Sequence, residues 1–207
     1  MLLLDGAIQL SESDGIYTST LMSGLCYDDA DVLILGGGDG ALLAKLVTDH
    51  SPRMVTMVEL DGEVMTSVRD HMHSVTGGVL DRHTGDNYNI ITGDAVQHLE
   101  DCVKDGKQYD FIFGDLTDIP IDTDPEGIIN INSTQHSTKV FVPASELWDF
   151  ITKILHLSLS SVKLNGKYLT HLYGKTFPQV KETFKQKVSS AATIIDRKIE
   201  ITFSGTN

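Results

Sequence analysis

The chain has 207 residues, which suits one domain or one large domain with a small appendage. With 41% hydrophobic and 22% charged residues it can bury a core and is not a disordered chain. A formal net charge of −13 argues against nucleic acid, which needs a basic patch, and suits a small cationic substrate better.

Residues 2–10, LLLDGAIQL, read as a hairpin around Asp5-Gly6, and residues 16–25 as a short helix. The run 31-DVLILGG-37 is apolar throughout, as a strand buried on both faces must be, and it ends in glycine. A helix over about 39–49, a strand 54-MVTMVEL-60, a helix over about 61–73 and a strand 88-YNIITG-93 follow. Next come a helix over about 95–104 and a strand 109-YDFIFGD-115.

Residues 117–142 hold no helical period, and a loop that long in a compact domain is usually functional or disordered. A strong helix resumes at 143-PASELWDFITKILHLSLSSVKL-164, with Pro143 in its first turn. The strand 167-KYLTHLY-173, a helix near 177–189 and a last strand near 193–203 complete the pattern. Strands alternating with helices predict an α/β fold, Rossmann-like, with a mainly parallel sheet covered on both faces. Ligands of such folds lie beyond the carboxyl ends of the strands. The strand-end acids Asp39, Glu59, Asp61, Asp94 and Asp115 are therefore expected around one crevice.

Two cysteines, Cys26 and Cys102, give neither a disulfide framework nor a zinc spacing and read as reduced thiols of a cytoplasmic protein. No apolar run approaches membrane-spanning length, and 1-MLLLDG-6 lacks the basic region of a signal peptide. The sequon at Asn132 reads as chance without a secretion signal. Asp122-x-Asp124-x-Glu126-Gly127 opens like a calcium loop, but Ser133 stands where the bidentate Glu belongs. His71 and His73 lie two apart on a helix and do not face one another, which makes them surface residues rather than ligands. Trp148, Phe150, Leu155 and Leu157 read as core and interface.

The glycine loop 34-ILGGGDGALL-43 carries the chemistry. Gly36-x-Gly38-x-x-Ala41 fits a dinucleotide-binding fingerprint, and Glu59 stands about twenty residues on, where an acid holds a ribose hydroxyl. Asp39 conflicts with that reading, because a carboxylate at a helix start repels a phosphate that the helix would otherwise attract. In the simplest structural alternative Asp39 only caps the helix. A nucleoside without phosphates removes the conflict. An S-adenosyl compound offers ribose hydroxyls to Glu59 and an adenine amine to Asp94. It turns a cationic arm toward Asp39, provided the arm ends in an amine and not a carboxylate.

The stretches DVLILGGGDGALLAKLV, MVTMVELDGEV, YDFIFGDLTDIPIDT and LNGKYLT together resemble the polyamine aminopropyltransferases. Within that family 113-FGDLTDIPI-121 is similar to spermine synthases rather than spermidine synthases. The segment LLLDGAIQLSESDGIYTSTLM resembles them as well, and the likeness covers roughly residues 1–172. It implies aminopropyl transfer from decarboxylated S-adenosylmethionine, a co-substrate, to a polyamine, with release of methylthioadenosine and no metal. By the same likeness Asp115 is the proton acceptor and Asp39 binds the donor amine. Gly36, Gly38, Glu59, Asp61, Asp94, Ala95 and Gln9 complete the donor site, and Tyr17 and Thr117 join Asp115 on the acceptor side. The partners implied are small molecules, a polyamine and an adenosyl donor, with neither nucleic acid nor membrane; a homodimer is left open.

An acceptor amine has a pKa near 10, taking lysine as the guide, and must lose a proton to attack, which a carboxylate in reach can accept. The sulfonium leaving group needs no acid. Aligning the two reactants can contribute up to about 7–11 kcal/mol.

Against the family pattern, residues 1–25 resemble only the last hairpin and short helix of a small N-terminal β-domain, with residues 26–207 as the catalytic domain. The loop after Pro120 is longer than the family pattern by about a dozen residues and is expected to act as a lid. The segment after about residue 175 matches poorly, and Glu200 is the nearest acid to the family's acceptor contacts there. Two alternatives stay open: an S-adenosylmethionine-dependent methyltransferase, and a non-catalytic nucleoside-binding domain of the same fold.

Overall fold

The structure is a computed structural model that describes residues 2–4, 7–10, 22–116, 144–171 and 178–202. Strands β1 (Leu2–Leu4) and β2 (Ala7–Leu10) pair antiparallel, as expected of a hairpin, with Leu4 opposite Ala7. The main sheet has β3 (Asp31–Gly36), β4 (Met54–Glu59), β5 (Tyr88–Thr92), β6 (Tyr109–Asp115) and β7 (Val162–Thr170). Its order is β5-β4-β3-β6-β7, and every pairing is parallel. The helices are α1 (Ala41–Asp49), α2 (Gly62–His71), α3 (His73–Thr76), α4 (Ala95–Asp105), α5 (Ala144–Ser161) and α6 (Pro178–Ile194). The expected Rossmann-like α/β architecture is thus the one observed.

The continuous apolar run of β3 has its cause in this layering. Val32 and Ile34 face a core shared with Leu42, Leu43 and Leu46 of α1 and with Met65 and Val68 of α2. Leu33 and Leu35 face the opposite core, with Leu99 and Cys102 of α4 and Ile154 of α5. A third cluster joins α5 to α6 through Trp148, Leu155, Phe184 and Val188. Burying each such side chain contributes about 1.5–3 kcal/mol, far more than the few tenths that helix propensity decides. These contacts, not local preference, hold the helices on the sheet.

Because β4 lies on one side of β3 and β6 on the other, the strand order reverses between β3 and β6. That switch point, at the carboxyl edge, is where an open α/β sheet leaves room for a ligand. At the opposite, amino edge two acids, Asp31 and Asp110, are matched by cations. Arg53 pairs with Asp31 through two nitrogens, Nε to Oδ1 at 2.8 Å and Nη2 to Oδ2. Lys163 reaches Asp110 at 2.8 Å and Asp31 at 3.4 Å, and the Asp31 N–H donates to Asp110 at 2.8 Å. Arg53 holds the Asp31 carboxyl below the usual carboxylate range. Burial pushes Asp110 up, but Lys163 and the Asp31 N–H outweigh it and leave its pKa lowered.

Two expectations need correction. The last sheet strand starts at Val162 rather than 167, since α5 runs straight into it and buried Val162 already pairs with Tyr109. Gly166 permits the irregularity that follows, because a Cβ there would lie 2.6 Å from the Asp110 carbonyl. The strand expected near 193–203 is not formed through residue 202: α6 continues to Ile194, and 197–202 take no ladder. Ile199 and Ile201 alternate inward, but onto the α5–α6 cluster, while Arg197 donates to the carbonyls of Ala192 and Leu159. A two-residue apolar period marks burial on one side; it does not by itself supply a neighbouring strand.

Candidate active site

The first turn after β3 is built from glycines for steric reasons. Gly36 has φ +82° and lies opposite Asp115 in the ladder, and a Cβ would stand 2.1 Å from the Asp115 carbonyl oxygen. Gly37 donates its N–H to that same carbonyl at 3.2 Å, so the loop is stitched to the end of β6. Gly38 leaves no room either: an added Cβ would meet the Glu59 carboxylate at 2.8 Å. Gly40, at φ +70°, opens α1 without a side chain that could cap. Asp39, half-buried, supplies the missing acceptor, its Oδ1 taking the Ala41 N–H at 2.9 Å. The capping alternative is therefore part of what Asp39 does, and it occupies one oxygen of the carboxylate.

Glu59 is fixed from two sides. Its Oε2 accepts from the Gly38 N–H and its Oε1 from the Asp61 N–H, both at 2.9 Å. Each oxygen has a second lone pair, so the clamped carboxylate can still receive a pair of hydroxyls. The Glu59 carbonyl takes the Gly93 N–H at 2.8 Å, which ties the turn before Asp94 to the end of β4. Asp61 caps α2 with its Oδ1 on the Glu63 and Val64 N–H groups, and Asp94 caps α4 with its Oδ1 on the Val96 N–H. Both are exposed, whereas Ala95 is buried beneath Asp94 in the α4 core. Next to Asp61, Leu60 stands 73% exposed, a large apolar side chain held in water just past the end of β4. Sequence reasoning passed over Leu60; its signal was an apolar residue placed one step beyond a buried strand.

Asp115 ends β6 with its side chain 17% exposed. Its Oδ2 faces the glycine loop, 3.6 Å from where a Gly37 Cβ would sit. Its Oδ1 lies 3.9 Å from Nδ1 of His171, the first residue past β7. Sequence reasoning missed His171, because it placed the residue inside a strand rather than level with Asp115. Behind the pair, a small and mainly apolar pocket is lined by Gly114, Leu116, Phe150, Ile154, Tyr168 and Thr170. Tyr168 presses on Gly114, where a Cβ would meet its hydroxyl at 2.1 Å, and burial pushes the Tyr168 pKa up.

The structure thus sets Gly36, Gly38, Asp39, Glu59, Asp61, Asp94, Ala95 and Asp115 along neighbouring turns of one edge. Tyr17, Thr117 and the side chain of Gln9 lie outside the described residues, as do the loop 117–142, Asn132 and the calcium-like run from Asp122. Of the residues set aside, His73 is exposed and meets Asp81 at 3.3 Å. Both cysteines are free, Cys26 exposed and Cys102 buried. Among the described residues no group of His, Cys, Asp and Glu could hold a metal ion, and no helix is long and apolar enough to cross a membrane.

Fold and edge together define a Rossmann-like α/β protein with a row of acids in the turns at the carboxyl edge of its sheet. The chain belongs to the family described by the spermine/spermidine synthase domain, whose model matches residues 15–142, more than half of its length. It is 33% identical over 121 residues to polyamine aminopropyltransferase 1 of Hyperthermus butylicus, a match covering 56% of this chain and 40% of that protein. It is 35% identical over 123 residues to polyamine aminopropyltransferase 2 of Pseudomonas aeruginosa, covering 58% of this chain and 34% of that one. The matches therefore span well under half the length of these relatives. A spermidine synthase solved with the transition-state analogue AdoDATO has the same fold, with TM-score 0.65, 18% identity, and coverage of 91% of this chain and 56% of that one.

Proposed function

We propose that the chain transfers an aminopropyl group from decarboxylated S-adenosylmethionine to a polyamine, spermidine in preference, and releases methylthioadenosine. The observation that carries this reading is the meeting of Asp115 with the glycine loop, Gly36 opposite Asp115 and Gly37 bonded to its carbonyl. A carboxylate there stands at the mouth of the switch point, beside the loop that receives the donor. Membership of the spermine/spermidine synthase family supports the same reaction. The preference for spermidine rests on 113-FGDLTDIPI-121.

In this reading Glu59, held by the Gly38 and Asp61 N–H groups, accepts the two ribose hydroxyls. Asp94 accepts from the adenine amine beside Ala95, Asp61 borders the ribose, and Leu60 covers an apolar face of the base. Asp39 faces the donor's ammonium and disfavours a donor bearing a carboxylate, which sets the reaction apart from methyl transfer. Gln9, Tyr17 and Thr117 complete the donor and acceptor sides, the β1–β2 hairpin belonging to a small unit before the catalytic domain. The acceptor ammonium gives a proton to Asp115, and the freed nitrogen lone pair attacks the propyl carbon next to sulfur. The C–N bond forms as the C–S bond breaks, its electron pair returning to sulfur as a neutral thioether.

Incubation of the 207-residue chain with the decarboxylated donor and, separately, putrescine, spermidine and spermine tests this by mass spectrometry of the products. Methylthioadenosine formed together with spermine from spermidine is the expected result. Absence of both product and methylthioadenosine binding by calorimetry removes the reading, whereas binding without product favours a nucleoside-binding domain.

A further inference from the structure

We propose that His171 is a positioning residue for Asp115, donating its Nδ1–H to Oδ1 so that Oδ2 is turned toward the glycine loop as the proton acceptor. The inference deepens the reading of Asp115 given above and rests on it. The geometry has two sides. Oδ2 faces the loop, 3.6 Å from the Gly37 Cβ position, and Oδ1 faces His171 Nδ1 at 3.9 Å. That separation exceeds a direct hydrogen bond, and such contacts commonly tighten only when substrate binds.

His171 is held in place by its neighbours. Gly114 pairs with Thr170 in the ladder, the Thr170 hydroxyl donates to the Gly114 carbonyl at 2.7 Å, and Tyr168 packs on Gly114. These contacts set the residue after Thr170 level with Asp115. The side chains of the pair are only 21% and 17% exposed, so solvent screens their interaction weakly.

His171 is also the only basic side chain among the described residues that directly follow the five strands, in turns 37–40, 60–61, 93–94, 116 and 171. The charged groups along that edge are the carboxylates of Asp39, Glu59, Asp61, Asp94 and Asp115. From α5 and α6 the pocket behind it receives Phe150, Ile151, Ile154 and Phe184, and from β7 the Tyr168 phenol. A neutral imidazole orients Asp115 while leaving it basic. A second proton, on Nε2, turns the contact into an ion pair. Asp115 then holds a proton less well, and a cation is added where a polycation must bind. The reaction therefore slows as pH falls through the His171 pKa.

Two readouts test the pair, one of them independent of turnover. In NMR titrations the His171 ring proton is assigned by its loss in H171Q, among the eight histidines of the chain. Its midpoint is expected to fall by at least half a pH unit in D115N, because a carboxylate beside an imidazole favours the charged ring. An unchanged midpoint overturns the proposal whether or not the chain turns over. In kinetics, H171A is expected to lower kcat about tenfold or more with the donor KM unchanged. H171Q, whose amide can still donate, is expected to restore most of kcat while removing the acid limb. A parental pH profile in H171Q, or a kcat in H171Q no better than in H171A with both variants folded by circular dichroism, overturns it. Failure of all turnover alongside a shifted midpoint counts against the proposed reaction and leaves the pairing standing.

Discussion

The two edges of the sheet use acids in opposite ways. At the amino edge Asp31 and Asp110 are matched to Arg53 and Lys163, so the carboxylates are neutralised by cations. At the carboxyl edge Asp39, Glu59, Asp61 and Asp94 accept backbone N–H groups instead. A backbone amide orients a carboxylate without cancelling its charge, which is what the proposed binding of a cationic substrate needs. Ion pairs at one edge tie strands together; backbone N–H groups at the other fix where its carboxylates sit, which is the arrangement the proposed reaction requires.

The sharpest way to break the comparison is D115N. The substitution keeps the shape of the side chain and leaves the Asp115 carbonyl on the Gly37 N–H, so the loop should stay closed. Turnover is expected to fall by about 10²–10⁴, the usual worth of a positioned proton acceptor. Methylthioadenosine binding by calorimetry should stay within a few-fold of the parent. A variant with near-parental turnover would remove Asp115 from the chemistry.

Next in size is G36A. The backbone at φ +82° disfavours any side chain, and the Asp115 carbonyl 2.1 Å away cannot yield without opening the β3–β6 ladder. A loss of about 3 kcal/mol or more is expected in urea denaturation, with the donor site lost together with the fold. Denaturation midpoints equal to the parent's would mean that the loop adapts, and that the carboxyl edge is less constrained than the geometry requires.

These two positions also mark what could be read from the sequence. The central strands were legible because a run such as 31-DVLILGG-37 has only one comfortable place, buried on both faces. The acids at their ends followed from the rule that places ligands at the carboxyl edge. His171 and the true start of β7 were not legible. Both depend on register between strands far apart in the chain, Val162 against Tyr109 and Thr170 against Gly114, which no local pattern encodes. Residues 197–202 misled for a related reason: their inward alternation is satisfied by helices rather than by a strand. Asp39 was half legible. The structure shows its cap on Ala41, which the sequence offered as the simpler alternative, while its role toward a donor stays a proposal.

D39N probes that second role. An amide can still accept the Ala41 N–H through its carbonyl oxygen, so stability should change by less than about 1 kcal/mol. The negative charge is lost, however. The preference for decarboxylated over ordinary S-adenosylmethionine is expected to shrink by about 10–100-fold, measured as the ratio of the two Kd values by calorimetry. An unchanged ratio would leave Asp39 as a cap only and move donor selection elsewhere.

The smallest effect belongs to the amino edge and checks that the two edges act separately. D110N removes the Lys163 ion pair but keeps an oxygen for the Asp31 N–H. A partly exposed pair of this kind contributes roughly 0.5–1 kcal/mol, or about 2–4 °C in Tm at the upper end for a chain of this size. The loss should depend on pH with a definite sign. The pKa values of Asp31 and Asp110 are lowered in the folded state, so their stabilisation is present above the ordinary carboxylate range and fades as pH falls through the folded values. Parent and D110N should therefore differ in Tm at pH 7 and converge as pH falls below the ordinary carboxylate range, where Asp110 gains its proton and the parent loses the ion pair as well. Donor affinity should be the same in the two proteins throughout. A D110N variant that weakened methylthioadenosine binding at pH 7, with its Tm unchanged, would mean that charge at the amino edge is felt through the sheet at the crevice.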